Sequence, residues 1–289
     1  MLQATGLHKA YGATEAVRGI AVEVAPGRIV GLVGNNGAGK TTSIKMFCGL
    51  VEPTSGTVRV LGGDPLRAPV RKDIGYLPED SPLYEDLTPV GYLEHFGALY
   101  GMRRNDIAAR ATELLHRLRL DAEYWKVPIG RLSKGSARKV ALARALLHDP
   151  AVVVLDEPSS GLDPATQRVL DRFLLELRDQ GKAILLSAHD LEQVERVCDE
   201  VLVMHRGRIV LSGTLAELRG RAGSTRYRLR ATVAFEGSAP DGPDHVGHVE
   251  DWPAAEACIQ EVRAADGRLL DLQAESPHLA DVLMAVSED

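Results

Sequence analysis

Cysteine is scarce in this sequence. Its three cysteines, Cys48, Cys198 and Cys258, lie far apart and form no C-x-x-C pair. That excludes a disulfide framework or a cysteine metal site and suits small buried hydrophobes in a reducing cytosol. No apolar run approaches the roughly 18 residues that a membrane-crossing helix needs, so any membrane role requires another chain. No basic stretch followed by an apolar segment and a small-residue cleavage site opens the chain, so no secretory signal is expected. Basic residues are not in excess either. Lys and Arg number 34 against 40 Asp and Glu, a net charge of −6, so no nucleic-acid partner is expected. Internal repeats, low-complexity tracts and long heptad insertions are also missing. The 289 residues remain enough for one large domain or two smaller ones with a substantial core.

The strongest local pattern is Gly34-Asn35-Asn36-Gly37-Ala38-Gly39-Lys40-Thr41-Thr42, which reads G-x-x-x-x-G-K-[ST]. An apolar run, Arg28 to Val33, precedes it and a helical pattern, Ser43 to Cys48, follows. Strand, loop and helix in that order are the context a phosphate-binding loop requires. Glycines let successive N–H groups converge on phosphate oxygens, and the helix N-terminus adds partial positive charge there. Lys40 is placed to reach the β- and γ-phosphates, and the Thr41 hydroxyl to ligate Mg²⁺. A second pattern is Val152 to Leu155 followed by Asp156-Glu157. A buried strand carries the two acids to its carboxyl end, where ligands of α/β sheets bind. Asp156 there suits Mg²⁺ and Glu157 a general base, although two acids at a strand end are by themselves also compatible with plain solvation.

Around these patterns the chain alternates strand and helix, which argues a doubly wound α/β sheet. Residues 2 to 25 predict two strands joined near Tyr11-Gly12. Thr57 to Leu61 and Asp73 to Leu77 predict short strands. Thr88 to His148 turns helical, with a last helix over Ser136 to His148. Helices are predicted from Pro164 to about Gln180, from Asp190 and from Thr214, and strands over Ala183 to Ser187, Val201 to Met204 and Arg208 to Leu211. Composition changes near Arg221. Beyond it the pattern predicts a strand over Tyr227 to Phe235, a polar loop over Glu236 to Asp244, a helix over Ala254 to Ala265, a strand over Arg268 to Gln273 and a final helix over Pro277 to Val286.

Several further stations now fall in order. Asp156-Glu157-Pro158-Ser159-Ser160-Gly161-Leu162-Asp163 resembles the Walker-B and D-loop run of ATP-binding cassette (ABC) ATPases. Leu132-Ser133-Lys134-Gly135-Ser136 resembles their signature motif, and Ser187-Ala188-His189-Asp190 their switch-histidine loop. Tyr11 stands where that family places an aromatic residue on adenine, and Glu79 where it has its Q-loop. The ordered set covers roughly residues 2 to 220. The resemblance implies an α/β P-loop NTPase of ABC type: a parallel-sheet core, an antiparallel β subdomain and an inserted helical subdomain at about 88–149. These make up a nucleotide-binding domain of residues 1–222, and residues 223–289 form a small C-terminal α/β accessory domain.

The same resemblance implies ATP and Mg²⁺ as ligands. Glu157, His189 and Lys40 would carry catalysis. Tyr11, Gly34 to Thr42 and Glu79 would bind nucleotide, and Thr41, Asp156 and Glu79 would hold the metal. Ser133, Gly135 and Ser136 would meet the nucleotide of an opposite subunit, because the chain has one phosphate loop and one signature motif. Each has a plainer competitor: Ser133 as an ordinary helix cap, Asp163 as the cap of the helix at Pro164, Tyr11 as packing for a turn. Two departures stand out. Glu79 replaces the usual glutamine, so it accepts hydrogen bonds but cannot donate an amide proton. Lys134, Ser136 and the run Ala137-Arg138-Lys139 depart from the signature pattern. The implied role is the ATPase subunit of a transporter at the cytoplasmic face of the membrane, a head-to-tail dimer working on separate permease subunits. Similarity to prokaryotic drug-resistance or copper-maturation exporters favours export. The rivals are a soluble ABC ATPase, which usually brings coiled coils or a second cassette, and a nucleotide-gated structural subunit with weak hydrolysis.

Overall fold

The computed structural model describes residues 1–222, 226–275 and 279. The chain divides into two compact units, Met1–Thr214 and Leu215–Asp289.

In the first unit, β1 (Leu2–Tyr11) and β2 (Thr14–Val24) form an antiparallel hairpin, and β3 (Arg28–Val33) leads into α1 (Lys40–Phe47). β4 (Ser55–Val60) pairs antiparallel with β1, which completes a three-stranded sheet of order β2-β1-β4. The short α2 (Ala68–Arg71) precedes β5 (Ile74–Leu77). A helical block follows: α3 (Pro89–Leu99), α4 (Arg104–Arg117), two single 3₁₀ turns, and α5 (Lys134–Leu146). The chain then runs through β6 (Val152–Asp156), α6 (Pro164–Asp179), β7 (Ala183–Ala188), α7 (Leu191–Val197), β8 (Glu200–His205) and β9 (Arg208–Thr214).

The six-stranded sheet has the order β5-β6-β7-β3-β8-β9. Its first five strands are parallel, and β9 closes the edge antiparallel to β8. Every residue of β6 and β7 is buried, the condition under which a parallel sheet reads as an unbroken apolar run. One apolar core joins the two sheets, with Leu2, Ile20 and Val58 from the antiparallel sheet, Ile44 and Phe47 from α1, and Val30, Val154 and Leu185 from the parallel one. In the helical block, α5 packs against α3, α4 and β5.

α5 begins two residues earlier than the sequence pattern predicts. The Ser133 hydroxyl accepts the Ser136 N–H at 3.2 Å, so helical geometry starts directly after Ser133, and Gly135 and Ser136 lie inside the first turn.

The second unit contains α8 (Leu215–Ala222) and a four-stranded antiparallel sheet of order β11-β12-β10-β13. Its strands are β10 (Arg226–Ala231), β11 (Ser238–Asp241), β12 (Asp244–Val249) and β13 (Leu269–Glu275), with α9 (Trp252–Ala264) laid on the sheet through Ala255, Cys258 and Val262. The predicted polar loop over Glu236 to Asp244 is therefore corrected: it holds β11 and the turn into β12. β11 carries Pro240 and lies at the sheet edge, where a missing N–H is tolerated, and β12 separates Val246 from Val249 by Gly247 and His248, which gives neither an apolar run nor an alternation. The predicted final helix over Pro277 to Val286 lies outside the described residues.

Candidate active site

Four strands that are neighbours in the parallel sheet, β5, β6, β7 and β3, end side by side. Their carboxyl ends lead respectively to Glu79, to Asp156-Glu157, to His189 and to the phosphate loop. These residues are up to 155 positions apart in sequence, and the sheet order sets their strands side by side. An open groove of about 660 Å³ results, lined by Ala16, Asn35 to Thr42, Glu79, Glu157 and His189.

The loop's shape depends on two glycines. Gly34 has φ +155°, and a Cβ there would lie 2.1 Å from the Met204 carbonyl oxygen. Gly39, the N-cap of α1, has φ +106°, and its Cβ would lie 2.4 Å from the Ala16 oxygen. No residue with a side chain fits either place without moving backbone. Lys40 Nζ donates to the Gly34 carbonyl at 2.5 Å and stands 4.0 Å from Glu157 Oε1. An ammonium has three N–H groups, so two can turn to phosphate oxygens without breaking this bond.

Glu157 is buried, and its carboxylate is oriented by the switch loop. Oε2 accepts from the His189 backbone N–H at 3.2 Å and lies 2.6 Å from His189 Nδ1. A carboxylate only accepts, so Nδ1 carries the proton in this bond. Oε1 faces Lys40 at 4.0 Å and keeps lone pairs for a water. The Glu157 backbone has φ +49°, a left-handed conformation costing about 1–3 kcal/mol for a residue with a side chain. Neighbouring bonds hold it there. The Glu157 N–H donates to Ser187 Oγ at 3.0 Å, and the same hydroxyl donates to Asp156 Oδ1 at 2.5 Å.

Asp156 is 1 % exposed, and its second oxygen, Oδ2, has no hydrogen-bond partner. A buried carboxylate oxygen left unpaired is costly unless a ligand completes it. A hard divalent cation with oxygen preference fits that donor; Asp156 itself is not among the residues that line the groove, whereas Thr41, at the head of α1, is.

The other predicted residues lie elsewhere. Ser133 and Gly135 do not line the groove. Ser133 is exposed and caps α5. Asp163 caps α6, with Oδ1 accepting from the N–H groups of Ala165 and Thr166 at 3.0 Å. Hydrogen bonds from Thr166, the hydroxyl first, hold its carboxyl below the usual range. Tyr11 is half exposed with Lys9 Nζ 5.1 Å from its ring centre, and it too is not part of the groove lining.

Known proteins share this arrangement. Residues 17–160 match the profile of the ABC transporter family. The ABC transporter ATP-binding protein NatA of Bacillus subtilis (strain 168) is 39 % identical over 207 residues, which span 71 % of this chain and 84 % of NatA. The chain belongs to the ABC transporter family and is its ATP-binding ATPase subunit. The Nod factor export ATP-binding protein I of Cupriavidus metallidurans is 38 % identical over 220 residues, 75 % of this chain and 72 % of that protein. A solved ATP-binding subunit of an ABC transporter superposes with a TM-score of 0.71 at 34 % identity, covering 76 % of this chain and 92 % of that one.

Sequence reasoning missed two residues of this ABC ATPase site. Ser187 was part of a recognised run, but its double bond to Asp156 and Glu157 depends on the β6–β7 register, which pairs Asp156 with Ser187. Arg138 reads in the sequence only as a departure from the signature pattern. It reaches from α5 to the carbonyls of Glu79 (2.7 Å) and Glu157 (2.8 Å). A usable signal existed: Arg138 shares its helix face with buried Leu142 and Ala145, where a charge needs partners. Burial pulls its guanidinium below the usual value, and Asp156, Glu79 and Asp80 oppose that shift.

Proposed function

We propose that two copies of this chain face head to tail and hydrolyse ATP to drive transport, in the export direction, through separate membrane-spanning subunits. One observation carries the proposal. Lys40, Glu157 and His189 share a groove, while the helix N-terminus lies outside it, with Ser133 exposed and Gly135 half-buried. One chain therefore holds half of each site, and an opposite chain's Ser133, Gly135 and Ser136 would close the groove over the γ-phosphate. A helix N-terminus with a serine cap suits that role.

In the closed site Lys40 and the loop N–H groups bind the β- and γ-phosphates, and Tyr11 stacks on adenine. Thr41, Asp156 and Glu79 hold Mg²⁺, which when bound neutralises charge on the phosphates. Glu157 Oε1 orients the attacking water and takes its proton, and His189 holds the Glu157 carboxylate in place. Catalysis is mostly positioning and charge stabilisation. No helix among the described residues is long and apolar enough to cross a membrane, and under this proposal attachment to the cytoplasmic face runs through the permease. The name of the Nod factor relative supports export.

The test compares purified wild type with Glu157→Gln. The amide keeps size and hydrogen-bonding shape but cannot accept the water proton, so turnover falls by about 10²–10⁴ while ATP still binds and an ATP-held dimer accumulates in sedimentation. Equal turnover in the two proteins would overturn the catalytic assignment. A variant that binds ATP yet stays monomeric would overturn the head-to-tail reading.

A further inference from the structure

Arg138 stands one turn into α5, and its guanidinium reaches two loops that its own helix does not belong to. Nη1 donates to the Pro78 carbonyl at 2.8 Å and to the Glu79 carbonyl at 2.7 Å, with Ser81 Oγ at 3.3 Å. Nη2 donates to the carbonyls of Asp156 at 3.0 Å and Glu157 at 2.8 Å, and Nε reaches the Pro158 carbonyl at 3.4 Å. The five N–H groups of a planar guanidinium thus meet six oxygens, five of them backbone carbonyls. The carbonyls on both sides of the Glu157 residue are held by one side chain, and the Glu157 N–H by Ser187. This is the residue whose backbone is left-handed, a conformation that persists only where its surroundings fix it.

We infer that Arg138 is a positioning residue for ATP hydrolysis, clamping the Glu79 loop and the Glu157 turn into one body and tying that body to the helix capped by Ser133. The inference deepens the proposed function and rests on it. Two carboxylates that must keep their places about one γ-phosphate are carried on separate strands, β5 and β6. Strand pairing ends at Leu77 and Leu155, so beyond those residues Arg138 supplies the cross-link. The tie also has a direction. Ser133, which would meet one nucleotide, caps the same helix whose second turn fixes the carboxylates of the other nucleotide's site. Movement of α5 is therefore transmitted to Glu157 and Glu79 as backbone displacement rather than as a change of charge. A lysine at this place keeps the charge but loses the planar fork that holds both loops at once.

The experiment measures steady-state ATPase and binding of a fluorescent ATP analogue in the full chain, for wild type, Arg138→Ala, Arg138→Lys, Glu79→Ala, the Arg138→Ala/Glu79→Ala pair and Glu157→Gln. Arg138→Ala is expected to lower kcat about 100-fold, the cost of a small misplacement of reacting groups, with KM and analogue affinity within about threefold. Arg138→Lys recovers only part of kcat. The double variant loses no more than the worse single one, because both act on the same loop. If alanine prevents folding, Arg138→Lys carries the test, with kcat about tenfold below wild type at unchanged affinity. Wild-type kcat in a folded Arg138 variant, or losses that multiply in the double variant, would overturn the inference. A wild type as slow as Glu157→Gln would instead overturn the site assignment beneath it, and the inference with it.

Discussion

Ser187→Ala removes one oxygen atom from the middle of the site, and the structure sets the size of the effect. The Ser187 side chain is fully buried. Its hydroxyl donates to Asp156 Oδ1 at 2.5 Å and accepts the Glu157 N–H at 3.0 Å. A hydrogen bond to a charged group contributes about 1.5–3 kcal/mol, and leaving a buried N–H without a partner costs about 1–3 kcal/mol. The missing oxygen leaves too little space for a cavity term to matter. The sum is about 2.5–6 kcal/mol, a large share of the stability of an ordinary domain. For a unit of this size that corresponds to roughly 10 °C in Tm. The chain has two tryptophans, and Trp125 belongs to the N-terminal unit while Trp252 belongs to the other. In a Trp252→Phe background, urea unfolding followed by Trp125 fluorescence reads the N-terminal unit alone. The expected result is a midpoint shift equivalent to about 2.5–6 kcal/mol, with an intermediate loss for Ser187→Cys, whose thiol donates weakly. A loss below about 1 kcal/mol would refute the claim that this hydroxyl holds Asp156 and the Glu157 turn in place.

Two further outcomes are expected. Lys40→Ala removes the cation that faces the phosphates and should abolish both ATP binding and ATP-dependent dimerisation in sedimentation. An unchanged ATP-dependent dimer would contradict the role of the loop as half of each site. His148 sets a pH limit: burial pushes its imidazole from 6.5 down to about 4. Its Nε2 lies 3.2 Å from the Ile74 carbonyl while the buried Nδ1 has no partner for a second proton. The unfolded chain binds that proton below pH 6.5 and the folded chain resists it until about 4. Stability is therefore whole above 6.5 and falls by up to about 3 kcal/mol as pH drops through this window. Urea midpoints measured from pH 7 to pH 4 should show the fall, and His148→Gln should flatten it.

Residues that act through local patterns were legible in the sequence. Gly34 to Thr42 declare a loop because glycine spacing and a following helix are properties of neighbours in the chain, and β6 and β7 declare themselves as unbroken apolar runs because a covered parallel sheet requires it. What was not legible depends on register and on sheet order. Nothing in the sequence sets β7 between β6 and β3, yet that order brings His189 Nδ1 to 2.6 Å from Glu157 Oε2. The pairing of Asp156 with Ser187 is equally a matter of register. In the second unit the periodicity failed for a different reason. β11 and β12 form a hairpin at a sheet edge in which Pro240 and His245 occupy paired positions, so neither strand shows the alternation that marks a half-buried strand.

The division of labour between sheet and helices explains why the catalytic groups need side chains from α5. The phosphate loop, Asp156 and His189 stand at the ends of strands buried throughout, apart from Arg28 at the start of β3, and packed strands change position only together. The Glu79 segment follows a strand of four residues at the sheet edge, paired with β6 alone, and gains less from the ladder. Two arginines of α5 supply what the ladder does not. Arg144 donates to the Tyr76 carbonyl at 3.1 Å, within β5, and Arg138 to the Pro78 and Glu79 carbonyls just beyond it. Both guanidinium groups bind backbone rather than carboxylates, so the position of β5's end depends on α5 and not on the ionisation of Glu79. It follows that Glu79→Gln should leave this anchoring intact and change only what the side chain itself contacts, whereas loss of Arg138 should move the loop with either residue at position 79.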